Sequence, residues 1–121
     1  MAEANDYDKL IFEITPDVMR CLEDRRHFEK LDDILCPSDN SIPVQKCTGT
    51  FAISETILSA EGFDDDARAD IYGVLRSKGG FCDCETLFNV AKRSRMASNY
   101  WRQQAEEYTG QKTSHAHKRH T

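Results

Sequence analysis

The residues best equipped for chemistry are cysteines. Cys82 and Cys84 flank Asp83 in the stretch Gly79-Gly80-Phe81-Cys82-Asp83-Cys84-Glu85. A thiolate is a soft metal ligand, and Zn²⁺ takes four ligands in a tetrahedron with Zn–S near ~2.3 Å. Two cysteines one residue apart can supply two of the four. The glycine pair lets the backbone fold tightly ahead of them, and the start of a following helix favours negative thiolates. Cys47 is the expected third ligand, because a long irregular loop delivers it. Cys36 is the expected fourth, with His27 or a histidine of the C-terminal tail as the alternative. The competing explanation is that these cysteines are small apolar residues filling a core. The five cysteines are an odd number, and neighbours in a C-x-C cannot easily bridge each other, so a disulfide framework fits poorly.

Other chemistry is less well provided for. A nucleophilic cysteine wants a histidine base. The one histidine outside the tail, His27, sits in the charged run "EDRRH", where a solvated side chain is expected. Redox motifs usually space their cysteines two apart. The acidic "DDDARAD" lacks the alternating ligands and glycine of a calcium loop. It reads instead as the first turn of a helix. "HAHKRH" is a polar tail with at most weak metal affinity.

The elements that must position the cysteines read as helices. Residues 1–14 form a short helix or an arm anchored by Leu10, Ile11 and Phe12. Thr15, Pro16 and Asp17 look like a helix start. Val18, Leu22, Arg25, Phe28, Leu31 and Leu35 then recur at three and four residue steps, which predicts one helix over roughly 16–35 with that face inward. The Pro- and Ser-containing stretch 36–49 is the longest loop, with Cys36 and Cys47 near its ends. A short helix stops at Gly62. Another opens on the acidic trio Asp64–Asp66 and stops at Gly79. Asp83 is expected to cap a helix beginning at Cys84, with Leu87 and Phe88 turned inward. A last helix carries Tyr100, Trp101 and Tyr108, either as docking groups or as core.

Length and charge set the frame. A chain of 121 residues suits one small domain with extensions. The expected fold is mainly α, four or five helices with irregular loops near the cysteines and at most short strands. The organisation expected is a helical extension (1–46) packed on a core unit (47–91), a C-terminal helix (92–108) and a disordered basic tail (109–121). The first 91 residues carry nine Lys/Arg against nineteen Asp/Glu, a balance of −10, whereas Lys92 onward carries seven against two, a balance of +5. An acidic body with a basic end suggests an anionic partner, or a tail folding back on its own body. No apolar run is long enough to span a membrane. The acidic start lacks the apolar segment of a signal peptide, so a cytoplasmic location is expected.

The segment 47–90 resembles a small bacterial family of unknown function whose signature reads GG-[YF]-C-D-C-E-x-L-x-N-V. Gly79, Gly80, Phe81, Cys82, Asp83, Cys84, Glu85, Leu87, Asn89 and Val90 agree with it. In that family a histidine tends to follow the upstream cysteine by two residues. Here Cys47 is present and Gly49 stands in the histidine's place. The resemblance implies a common unit over 47–90 and no particular activity.

These readings favour a non-enzymatic binding or adaptor module, stabilised by zinc through Cys47, Cys82, Cys84 and Cys36, with a protein partner. The alternative is a nucleic-acid-associated regulator using the basic segment at Lys92, Arg93 and Arg95 with its neighbouring aromatics. A thiol redox protein is a third reading.

Overall fold

The computed structural model describes residues 2–37, 43 and 45–115, with side chains from residue 6 to residue 107 of these. Six helices follow one another: α1 Ala2–Asp24, α2 His27–Leu35, α3 Ala52–Ala60, α4 Asp65–Ser77, the single turn α5 Asp83–Glu85, which passes into a π-helical turn Thr86–Val90, and α6 Arg95–His115. The fold is mainly α, as the periodicity predicts, with no strand among the described residues. Leu22, Leu31, Leu58, Leu75 and Leu87 form the centre of one core, contributed by α1, α2, α3, α4 and the π turn in that order.

The helix ends follow local chemistry. Asp64 caps α4, its carboxylate accepting from Ala67 N–H at 2.9 Å. Asp65 and Asp66 fill the first turn and Arg76 the last, which complements the helix dipole. α4 ends in a Schellman closure: Gly80 N–H donates to Leu75 O at 2.8 Å and Gly79 N–H to Arg76 O at 3.0 Å. Gly79 sits at φ +93°, a conformation that needs glycine. α3 closes in the same way through Gly62 and Phe63.

The first half of the chain departs from expectation. α1 does not begin at Thr15 but runs through Pro16. Pro16 has no N–H to donate, and the Thr15 hydroxyl donates back to Ile11 O at 2.6 Å rather than capping a helix. The helix continues because its face is settled by packing: α1 lies along α4, with Ile11 and Leu22 buried. The helix predicted over 16–35 instead breaks at Arg26, a left-handed residue at φ +60°. The kink changes the phase of the inward face, so that His27 and Phe28 are buried together with Leu31 and Leu35. Arg25 stabilises the corner, its guanidinium 4.6 Å from the Phe63 ring centroid and 3.5 Å from Glu61.

His27 is therefore not the solvated side chain its neighbours suggest. It is 0% exposed and its Nε2 lies 3.1 Å from the Ser54 hydroxyl. At the far end, α6 extends past the predicted end at 108 to His115 and so carries helix into the segment expected to be disordered. No proline interrupts "TGQKTSH", and nothing else there forces a stop. Residues 116–121, with His117 and His120, lie outside the described residues, as do the side chains of Tyr108 and His115.

Candidate functional site

The turn that carries Cys82 and Cys84 is built around Asp83. Its side chain is 0% exposed. Its carboxylate accepts from Ile53 N–H at 2.8 Å and Ser54 N–H at 3.1 Å, and its own N–H donates to Thr50 O at 3.0 Å. Asp83 thus caps α3 from outside that helix rather than opening its own, as the sequence suggests. Helix starts leave N–H groups unpaired, and a buried carboxylate aimed at two of them is a strong anchor. α5 is begun instead by Cys82, whose sulfur accepts from Glu85 N–H at 3.5 Å. Gly80 makes the close approach practicable. A Cβ there would stand 2.9 Å from Val90 Cγ2 and 3.2 Å from Thr86 Cα.

Docking this turn on α3 brings Cys82 and Cys84 to Cys47, just upstream on the incoming loop. Cys84 N–H donates to Cys47 Sγ at 3.4 Å, and Gly49 N–H donates to the same sulfur at 3.4 Å. The thiols of Cys84 and Cys82 are its neighbours. Burial pushes the Cys47 thiol up, but the N–H groups of Gly49 and Cys84 and the two neighbouring thiols outweigh it and leave it below the ordinary value. Burial, followed by the neighbouring Cys47 sulfur, pushes Cys84 up to about 12. Cys82 is raised as well, first by burial.

Cys36 is not brought to this place. It ends α2, its sulfur accepts from Asn99 Nδ2 at 3.3 Å, and its carbonyl accepts from Arg95 Nε at 2.9 Å. His27 is equally apart, enclosed in the core with its Nδ1 unpaired. Burial lowers its pKa to about 4, Glu61 opposing and Lys30 adding to the effect. His27, Ser54 and Asp83 superficially suggest a hydrolytic triad. Both oxygens of Asp83 accept from backbone N–H groups, however, and all three side chains are fully buried. None of the five cysteines is disulfide-bonded or fully buried, and Cys47 rests against the core's edge. As placed, the thiols do not form a ready metal-holding group, and among the described residues no set of three or more His, Cys, Asp or Glu side chains does.

The basic segment is partly engaged. Arg95 binds Asp33 at 2.6 Å, and its N–H donates to Asp32 at 2.6 Å. Asp32 also accepts from Met96 N–H, so this buried carboxylate caps α6 as Asp83 caps α3. Lys92, Arg93, Arg102 and Trp101 share one groove, but Glu29 and Asp32 face it too. Tyr100 and Trp101 are 43% and 64% exposed and are not core residues. Their rings meet edge to face, and Tyr100 meets Phe88 in the same manner.

Residues 34–89 match the family model described as Protein of unknown function (DUF2695). The match begins ahead of Cys47. It therefore takes in Cys36 and the intervening loop as well as the three converging thiols and Asp83. No curated protein and no solved structure matches the chain. No helix among the described residues is long and apolar enough to cross a membrane.

Proposed function

We propose that this chain is a non-enzymatic binding module whose cysteine centre, Cys47, Cys82 and Cys84, takes up zinc. The observation that supports this reading is the convergence of three thiols, from two segments distant in sequence, around a sulfur that already receives two backbone N–H bonds. Such bonds favour thiolate, the form that ligates metal. A bound zinc would cross-link the incoming loop to the α5 turn, and its binding free energy would add to folding. Zinc binding would require the three thiols to close on the ion and would leave the fourth position to solvent or to a partner molecule. Cys36 has no part in this set. A nucleic-acid role is the weaker reading, because Arg95 is already paired and acidic side chains share the basic groove.

Elemental analysis of protein purified in zinc tests the proposal. About one zinc per chain is expected in the wild type and in Cys36→Ser, with loss of both metal and melting temperature in Cys82→Ser and Cys84→Ser. Protein that binds no zinc, with a melting temperature indifferent to chelator, would refute it.

A further inference from the structure

α1 and α4 leave a groove of about 920 Å³ between them. Its floor is set by Gly73: a Cβ at that position would lie 2.6 Å from both Ile11 Cδ1 and Tyr7 Oη, so the close approach of the two helices depends on glycine. Two aromatic side chains from separate elements flank the groove, Phe12 at 81% and Phe81 at 58% exposure. The α1 wall carries Asp8 and Glu13, and the opposite side carries Arg76 and Lys78. All four are exposed, and no described residue forms an ion pair with any of them.

A groove with an acidic wall, a basic wall and an apolar lip is self-complementary. A partner of one charge sign would meet repulsion on one wall. A second copy related by a two-fold axis running along the groove would meet none, because each acidic wall then faces the other copy's basic wall and the same patch serves both subunits. The axis would also bring each Phe12 to the other copy's groove and cover the aromatic surface that a lone chain leaves in water.

We propose that this chain pairs with a second copy of itself across the α1–α4 groove. Phe12 is the apolar anchor, and Asp8 and Glu13 of each copy face Arg76 and Lys78 of the other. This pairing does not depend on metal at the thiol centre.

Sedimentation equilibrium of the full chain, in reductant so that no disulfide contributes, provides the test. The wild type is expected at twice its 13.8 kDa mass at concentrations on the order of 100 μM. Phe12→Glu should weaken association about 100-fold, the scale of a lost hot spot. Reversing one wall (Asp8→Lys with Glu13→Lys) should also dissociate the pair. Adding Arg76→Glu with Lys78→Glu to that variant should restore it, which a mere folding defect would not do. A wild type that stays monomeric at every concentration would overturn the proposal and leave the groove to the chain's own C-terminal segment or to an unrelated protein. So would a dimer whose affinity is unmoved by Phe12→Glu and by wall reversal.

Discussion

Replacing Asp83 by alanine should unseat the thiol turn and loosen the start of α3 in one step. The carboxylate is fully buried and accepts from Ile53 and Ser54 N–H at 2.8 and 3.1 Å. Alanine leaves both donors unpaired where water does not readily reach. Bonds to a charged acceptor contribute ~1.5–3 kcal/mol each, and a stranded buried donor costs ~1–3 kcal/mol. The two bonds share one anchor and the start of α3 can partly relax, so a loss of about 2–4 kcal/mol is expected rather than the full sum. Asparagine should rescue little, because its single carbonyl satisfies one N–H while its amide places a donor against the other. Asp66→Ala, an exposed change in the first turn of α4, should stay within about 0.5 kcal/mol. Urea unfolding followed through the midpoint gives the three values. Thiol labelling of the native protein gives the local effect, since a freed turn should make Cys82 and Cys84, whose thiols burial and the neighbouring Cys47 push up, react faster. An Asp83→Ala variant within about 0.5 kcal/mol of wild type, with unchanged labelling, would refute the idea that this carboxylate holds the site together.

Acid should act through His27. Its folded pKa of about 4, against 6.5 when unfolded, means that below pH 6.5 the unfolded chain takes up a proton that the folded chain excludes. Its contribution to stability is complete above pH 6.5, falls as pH drops towards 4 and then levels off, a loss of about 3 kcal/mol. Unfolding at several pH values should show this slope in wild type and not in His27→Gln; parallel profiles would contradict it. Leu87 and Phe88, adjacent on the π turn, should separate sharply. Leu87→Ala, at a buried position, should cost about 2–5 kcal/mol. Phe88→Ala, which loses mainly the edge contact to Tyr100 at 5.4 Å, should cost about 1 kcal/mol. Equal losses in the two variants would show that the turn faces inward on both sides.

What could be read from the sequence was what is decided within a few residues. The acidic trio Asp64–Asp66 at the start of α4 and Gly62 and Gly79 as stops all depend on adjacent backbone groups, and each is found as expected. The features that were missed are decided by distant partners. α1 passes Pro16 because α4 lies against it. α2 starts anew at a left-handed arginine, and this break turns His27 from a charged neighbourhood into the core. The cysteine types and the C-x-C spacing marked Cys47, Cys82 and Cys84. Nothing local showed that Cys36 would be drawn to Asn99 and Arg95 instead.

The two buried aspartates explain how a short chain with a modest core fixes its loops. Asp32 reaches from α2 to the first amides of α6, and Asp83 reaches from the cysteine turn to those of α3. In each case a side chain from one segment satisfies N–H groups that a second segment cannot satisfy internally. The interaction therefore sets the position of one segment relative to the other, which apolar contact alone specifies loosely. At Asp83 the consequence is chemical as well as mechanical. The same residue that seats the turn lies between two of the three thiols, so any displacement of α3 moves Cys82 and Cys84 relative to Cys47. Core packing and thiol geometry are thus a single linked variable. A ligand that draws the thiols together would stabilise α3 even though α3 contributes no thiol, and a core mutation beneath α3 would weaken that ligand's binding by the same coupling free energy.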